Sequence, residues 1–170
     1  VGSQCIIIDD NNYIIGCRSS IVPNSFNEVL KRNVFIHPTV MGKTSWFKKF
    51  YYTENLKGVE DYDLWVRSFK VSNFSILNEN LLFYRDPLEI KLRTYQYRHK
   101  QARKAYRYYR KLYINSITFS RLYILSLLKT IVYTIAHKVG FSIHIAANRN
   151  LKLSSHDITL YRSTLQSITK

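Results

Sequence analysis

The sequence predicts a mixed α/β fold for residues 1–90, followed by a basic α-helical extension over residues 91–170. The first prediction rests on short β-branched runs that alternate with helix-start signals. The second rests on residues 95–113, which contain no helix breaker, and on the distribution of charge. Residues 1–90 carry ten Lys or Arg and ten Asp or Glu, whereas residues 91–170 carry sixteen Lys or Arg against the single acid Asp157. The two halves are therefore interpreted separately.

The chain begins with a predicted β-hairpin. Cys5–Ile8 and Tyr13–Gly16 are β-branched and aromatic runs, and the Asp-Asp-Asn-Asn segment between them is typical of a turn. Ser25 and Glu28 form a capping-box pattern, which predicts a short helix that ends near Asn33. This order of elements indicates that strands and helices alternate from the start of the chain.

Further short elements are predicted as far as residue 90. Val34–Ile36 is predicted to be a strand that stops before Pro38, because the residue before a proline favours extended backbone. Two further helices are predicted over Lys43–Tyr51 and Glu60–Lys70, and apolar residues at roughly helical spacing support the second. Asn73–Tyr84 is predicted to form one or two strands, with a break at 78–80.

Three carboxylates, those of Glu60, Asp61 and Asp63, fall in the first turn of a predicted helix. The helix dipole favours acids at this position by roughly 0.3–1 kcal/mol each, which is a purely structural explanation. The functional alternative is a general base at the edge of a cleft, since the dipole also keeps a carboxylate ionised near neutral pH. The acids alone leave both explanations open.

Three motifs occur in order around these acids. They are N-V-F-I-H-P-T from Asn33, E-D-Y-D-L-W-V-R from Glu60 and L-L-F-Y-R from Leu81. Over about residues 1–90, this series resembles the second half of family 2 glycosyltransferases that build bacterial surface polysaccharides. The resemblance implies the C-terminal half of a GT-A, Rossmann-like fold.

The resemblance implies an inverting sugar transfer with Asp61 as the catalytic base and Glu60 beside it. The base would deprotonate an acceptor hydroxyl, which attacks the anomeric carbon of a nucleotide-activated sugar. The acceptor would be a saccharide or a lipid-linked saccharide, and the enzyme would lie in the cytoplasm at the inner face of the plasma membrane. Further candidate substrate contacts are His37, Thr39, Asp63, Trp65, Arg67 and Arg85.

Several of these candidates also have a structural explanation. A histidine next to a proline at a strand end, such as His37, is commonly structural, and Trp65 fits a core position as well as a stacking platform for a sugar. Asp63 lies four residues before Arg67, at the spacing of a helical ion pair. Arg85 could face donor phosphates or simply end a strand.

The full-length enzymes of this family hold a divalent metal, Mg or Mn, and the nucleotide diphosphate through a DxD motif that this sequence lacks. Asp9 and Asp10 lie in the predicted hairpin turn and are expected to be solvent-exposed turn residues. The sequence is therefore interpreted as a fragment whose N-terminal nucleotide-binding half is missing and which would not turn over alone.

The basic extension suits two kinds of partner. Cations with interleaved tyrosines fit nucleic acid, through phosphate contacts and base stacking, and equally an anionic bilayer. Leu122–Val139 is apolar but interrupted by Lys129, His137 and Lys138, which favours an amphipathic helix over a spanning one. Because nucleic acid has no use for this apolar surface, a membrane is favoured. Packing on residues 1–90 is the other alternative, and a basic binding module without catalysis is the alternative function.

Overall fold

The computed structural model describes residues 1–87 and 89–168, which form a mixed α/β fold. Short 3-10 turns occur at His37–Thr39, Glu54–Leu56 and Phe69–Val71. The strands and helices run along the chain as β1 (Gly2–Ile8), β2 (Ile14–Arg18), α1 (Phe26–Lys31), α2 (Thr44–Lys49), α3 (Glu60–Ser68), β3 (Ile76–Arg85), α4 (Leu92–Leu112), α5 (Ser116–Lys138), α6 (Ser142–Ala147) and α7 (Ser155–Ile168).

β1 is the central strand of a three-stranded sheet. The predicted hairpin is confirmed, since β2 pairs with β1 antiparallel, and β3 pairs with it in parallel on the other side. Cys5–Ile8 is buried along its whole length. Ile6 and Ile8 pack against Leu165 of α7. Because side chains alternate along a strand, Cys5 and Ile7 point to the opposite face of the sheet.

The prediction of a strand at Val34–Ile36 is wrong. The segment bends at Phe35, and it is joined to residues 20–21 by hydrogen bonds from Ile21 N to the Val34 carbonyl (2.8 Å) and from Ile36 N to Ser20 Oγ (3.0 Å). It then turns directly into the 3-10 turn at His37–Thr39. A strand needs a ladder of backbone hydrogen bonds, and of these two bonds to residues 20–21 only the one from Ile21 joins backbone to backbone.

β3 is a single strand, but its pairing with β1 is irregular around the break predicted at 78–80, since Gly2 pairs with Ile76 and Gln4 with Asn80. The polar residues there are tolerated because β3 is an edge strand of the sheet. Asn78 and Glu79 are exposed. The Asn80 side chain donates a hydrogen bond to the Tyr161 hydroxyl of α7 (3.0 Å). An edge position therefore accounts for a polar stretch within a strand.

A buried carboxylate joins α3 to α4. Asp63 is 0% exposed and accepts hydrogen bonds from the Tyr109 hydroxyl (2.7 Å), Thr53 Oγ1 (2.6 Å) and Arg67 Nε (2.8 Å). The ion pair with Arg67, four residues further on, is confirmed. Because a buried charge is costly unless it is paired and hydrogen-bonded, these donors fix α4 against α3.

The hydrophobic core extends past residue 91, where the sequence changes character. Ala105 and Tyr109 of α4 share one core with Leu30 of α1 and with Leu64 and Trp65 of α3. The basic helix α4 is therefore part of the packed structure, with one face in the core. The predicted division near residue 91 describes the composition of the chain, while the packing crosses it.

The segment after α6 returns to the edge of β2. Cys17 and Leu151 exchange two backbone hydrogen bonds, of 3.0 and 2.9 Å. Gly16 has φ +141°, and a Cβ there would lie 2.6 Å from the Leu151 carbonyl oxygen. A glycine is required at this position because the returning backbone passes so close to it. This contact brings Arg149 and Asn150 beside Arg18 of β2.

Replacing Tyr109 with phenylalanine tests the link between α3 and α4. Tyr109→Phe removes one hydrogen bond to a buried carboxylate, so the free energy of unfolding should fall by about 1.5–3 kcal/mol. Tyr108→Phe is the matched control, because Tyr108 is exposed and next in sequence. Urea unfolding of both variants measures the difference. Equal stability of the two variants would contradict the role given to Tyr109.

Candidate active-site cleft

A cleft of about 830 Å³ lies beside the N-terminal end of α3. One wall comes from the end of α1, the turn at His37 and the start of α3, and the other comes from α4, with Lys129 of α5. Three of the predicted site residues, Glu60, Asp61 and His37, line this cleft. Thr39, Asp63, Trp65, Arg67 and Arg85 do not.

Asp61 is held in place at the cleft wall. Its side chain is partly buried in the first turn of α3, where the helix dipole favours a carboxylate. Asn33 Nδ2 donates a hydrogen bond to Oδ2 (2.6 Å), and the backbone N–H of Tyr62 donates one to Oδ1 (2.8 Å). Each carboxylate oxygen can accept more than one hydrogen bond. The group can thus be held by the protein and still receive a proton from a ligand.

Asn33 was not predicted as a site residue. It opens the N-V-F-I-H-P-T motif, but its contact with Asp61 joins positions 28 residues apart. The place of Asn33 at the start of a motif could have marked it as a candidate. Its hydrogen bond with Asp61, however, depends on how α1 packs against α3. The Tyr62 hydroxyl donates to the Leu30 carbonyl (2.8 Å) and fixes that packing.

Glu60 stabilises the loop that leads into α3. Its carboxylate accepts a hydrogen bond from the backbone N–H of Gly58. Gly58 has φ +86°, a conformation that favours glycine. The Glu60 side chain therefore holds the entry to the helix while it lines the cleft next to Asp61.

His37 pairs with a tyrosine that the sequence did not single out. The Tyr52 hydroxyl and His37 Nε2 are 3.0 Å apart. The pKa of Tyr52 is raised by burial and further by the negative charges of Asp61 and Glu60, which places Tyr52 near both carboxylates. His37 Nδ1 is buried and has no hydrogen-bond partner within the described part of the chain. His37 thus lines the cleft while it is paired with Tyr52, which lies near the acids at the start of α3.

Two predicted substrate contacts, Thr39 and Trp65, make structural contacts within the fold. Thr39 Oγ1 accepts a hydrogen bond from Ser3 N (3.0 Å) and donates to the Ile36 carbonyl (2.8 Å), so it ties the 3-10 turn to β1. Trp65 is 1% exposed and packs edge-on against Phe35, with ring centroids 4.9 Å apart. A ring enclosed in this way cannot serve as a stacking platform for a sugar.

The charged candidates Asp63, Arg67 and Arg85 are also committed to structural contacts. Asp63 is fully buried with Arg67 as its ion-pair partner. The Arg85 guanidinium donates to the Asp9 carbonyl and to Asn12 Oδ1 in the hairpin turn. Arg85 therefore stabilises that turn, and a contact with donor phosphates stays a prediction.

Other cations line the cleft instead. Arg18 and Arg149 share one carboxylate, that of Asp86. Burial lowers the pKa of Arg149, Asp86 opposes this effect, and Arg18 and Arg98 add to it. Against two acids, Glu60 and Asp61, the lining includes Arg18, Lys31, Arg32, Arg98, Lys129 and Arg149. Because Arg18 and Arg149 pair with Asp86 and Arg32 pairs with Glu28, the excess positive charge that suits an anionic ligand comes mainly from Lys31, Arg98 and Lys129.

The described residues do not fit the divalent metal that the family resemblance implies. Among the residues the structure describes, no three His, Cys, Asp or Glu side chains lie close enough to hold a metal ion. The Asp9 carboxylate accepts hydrogen bonds from the backbone N–H groups of Asn11 (2.9 Å) and Tyr13 (2.8 Å). The predicted turn is confirmed, but Asp9 is buried, and of the two acids only Asp10 is exposed.

Comparison with known proteins gives one partial similarity. An uncharacterized glycosyltransferase of Methanocaldococcus jannaschii is 40% identical over 60 residues, which make up 34% of this chain and 20% of that protein. No protein-family model matches the chain, and no solved structure matches it. The similarity indicates a relationship to glycosyltransferases over part of the chain.

His99, on the α4 wall of the cleft, predicts a pH dependence of stability. Its Nδ1 lies 2.9 Å from Ser126 Oγ, and burial, with Lys129 and Arg103, lowers its pKa from 6.5 to about 4. Between these values the unfolded chain binds more protons, so the free energy of unfolding should fall as the pH drops from 6.5 towards 4.

The variant His99→Gln should show a shallower loss of stability over that window. Urea unfolding at several pH values, with the wild-type chain alongside, measures the difference in slope. The carboxylates titrate in both proteins and cancel in the comparison. Identical slopes would show that His99 does not contribute.

Proposed function

We propose that this chain is the acceptor-side part of an inverting family 2 glycosyltransferase with a GT-A fold. The observation that carries the proposal is the position of Asp61, fixed by Asn33 at the wall of a cation-lined cleft. Its neighbours Glu60 and His37 belong to the motifs that resemble this family. The partial similarity to an archaeal glycosyltransferase supports the reaction class.

Asp61 would act as the general base. An acceptor hydroxyl transfers its proton to the Asp61 carboxylate while its oxygen forms a bond to the anomeric carbon of the donor sugar. The bond between that carbon and the phosphate oxygen breaks, and its electron pair leaves with the nucleoside diphosphate. Attack opposite the leaving group inverts the configuration. Asn33 would orient the base, and Glu60 would keep the loop before α3 in place.

The cleft supports substrates that carry phosphate. Its excess of positive charge suits a nucleotide-sugar donor and a lipid-linked acceptor, and a neutral saccharide acceptor would rely on the paired His37 and Tyr52 side chains. We place the DxD motif and its Mg or Mn in a preceding segment of the full-length protein. The process would be bacterial surface polysaccharide synthesis, in the cytoplasm at the plasma membrane.

The variant Asp61→Asn in the full-length protein tests the role of the base. Sugar transfer should fall by about a hundredfold to ten-thousandfold, because the amide cannot accept the proton, while donor affinity stays nearly unchanged. Transfer is measured with a panel of nucleotide sugars and lipid or saccharide acceptors. Asp10→Asn is the matched control, since Asp10 is an exposed acid in the hairpin turn.

A turnover close to wild type in Asp61→Asn would exclude Asp61 as the base. Binding of RNA or DNA with a steep salt dependence, together with no sugar transfer by the full-length protein, would favour the alternative of a basic binding module. The two results can be told apart. The first would reject only the assignment of Asp61 as the base, whereas the second would reject the assignment of the protein as a glycosyltransferase.

A further inference from the structure

Helix α5 places a stripe of polar side chains against α4 and leaves most of its large aliphatic side chains exposed to solvent. Ser126, Thr130 and Thr134, spaced four residues apart, face α4 and make hydrogen bonds with it. The large aliphatic side chains lie elsewhere on the helix. In a helix that packs on the core of a soluble protein, the apolar face is the one that is buried. α5 buries Leu122, Tyr133 and Ala136, but most of its large aliphatic side chains face solvent along the 23-residue helix.

The contact with α4 extends along most of α5. Gln96 bonds to Thr134 near one end, Tyr95 stacks on Tyr133 with ring centroids 3.8 Å apart, and Arg107 bonds to the Tyr123 hydroxyl nearer the other end. The two helices are therefore antiparallel. Since the Tyr109 hydroxyl of α4 binds the buried Asp63, the pair is attached firmly to the rest of the fold.

The outward face of α5 is a continuous apolar surface. Leu128 is 51% exposed and Ile135 57% exposed, and the surface includes Ile124, Leu128, Ile131, Val132, Ile135 and Val139. The charged residues of the helix are Arg121 near its start, Lys129 in the cleft wall and Lys138 at its end. Large exposed apolar patches of this kind mark contacts with a membrane or with another protein.

The charge of the neighbouring helix α4 favours a membrane over another protein as the partner of this apolar surface. α4 and α5 contain no acid, and the exposed residues of α4 include Arg93, Lys100, Lys104, Arg107 and Lys111. Packed helices lie about 8–10 Å apart. With the outward face of α5 at the boundary of the acyl chains, α4 would therefore lie at the level of the lipid headgroups. An anionic bilayer matches both layers of the pair.

The pairing with α4 also favours an α5 that lies in the plane of the membrane over one that spans it. By length and composition alone, α5 is long and apolar enough to cross a membrane, and it begins at Ser116, six residues before the predicted apolar run. A spanning α5 would carry α4 and its cations into the bilayer, at a cost of about 2.5–3.5 kcal/mol for each Arg or Lys at the centre. The paired helices can lie in the plane of the membrane without this cost.

We propose that the α4–α5 pair docks in the plane of an anionic lipid bilayer, with the outward face of α5 inserted and the cations of α4 on the headgroups. Arg98 and Lys129, from the same two helices, line the cleft. The docked chain would thus hold the cleft at the membrane surface. This inference stands independently of the proposed sugar transfer, because it rests on α4 and α5 alone.

Flotation with lipid vesicles tests the apolar layer. The wild-type chain should bind vesicles of phosphatidylcholine mixed with phosphatidylglycerol, and the double variant Leu128→Gln, Ile135→Gln should bind them at least about 10-fold more weakly. The matched control is Leu77→Gln, Leu81→Gln, which removes two exposed leucines from the edge strand β3. Circular dichroism confirms that each variant is folded.

Charge variants test the basic layer in the same assay. Replacing Arg93, Lys100 and Lys111 with glutamine should weaken binding by about 5-fold per cation, or about 100-fold in total. Replacing the exposed Lys43, Lys48 and Lys57 with glutamine removes the same charge from the other part of the chain and should have little effect. Equal losses in the two triple variants would overturn the assigned orientation.

Depth measurements separate the in-plane from the spanning arrangement. Ile117, Leu128 and Val139 are exposed and cover 22 residues of helix, about 33 Å. Fluorescent labels at Ile117→Cys, Leu128→Cys and Val139→Cys, in a Cys17→Ser background, should report similar shallow depths. A deep label at 128 between two shallow ones would show a spanning helix and overturn the proposal.

Absence of vesicle binding would also overturn the proposal. In that case sedimentation shows whether the surface is an interface between two copies, since the wild-type chain would form a dimer that Leu128→Gln, Ile135→Gln dissociates. Vesicle binding without sugar transfer by the full-length protein would leave the membrane inference standing and remove only the proposed enzyme activity.

Discussion

The buried carboxylate of Asp63 holds the cleft together. It binds Thr53 and Arg67 on its own side of the fold and Tyr109 on α4, so the loop before α3, the helix α3 and the basic helix α4 meet at one ion. Successive helical residues are 100° apart, and two residues therefore differ by about 200°. For this reason Asp63 points into the core while Asp61, on the same helix, lies at the cleft.

The three acids at the start of α3 thus make three different kinds of contact. Asp63 is a structural ion, Glu60 closes the loop at Gly58, and Asp61 is held by Asn33 beside the His37–Tyr52 pair. The difference arises from what each carboxylate meets, since all three begin as similar acids in one helical turn. Glu60 and Asp61 both line the cleft, and Asp61 is held there by two hydrogen bonds, from Asn33 Nδ2 and from the backbone N–H of Tyr62.

The cations of α4 and of the cleft form two separate sets, which the composition of the chain does not distinguish. α4 uses one face for the core, another for α5 and a third, with its exposed cations, for solvent. A second set of cations, drawn from β2, the end of α1, α4, α5 and the segment after α6, lines the cleft. The same two helices therefore contribute both to the membrane surface we propose and to the cation-lined wall beside Asp61.

The sequence by itself determined what depends on near neighbours: the β1–β2 hairpin, the helix from Glu60, and the Asp63–Arg67 pair four residues apart. Only the tertiary structure decided contacts between distant segments. It left Val34–Ile36 without a partner strand, paired Asn33 with Asp61, took Arg85 to the hairpin turn and covered β1 with α7. Periodicity likewise shows that α5 has polar and apolar stripes, but the choice of stripe that meets α4 depends on the hydrogen bonds the partner offers. Local spacing fixes which side chains share a face, and long-range packing fixes what that face meets.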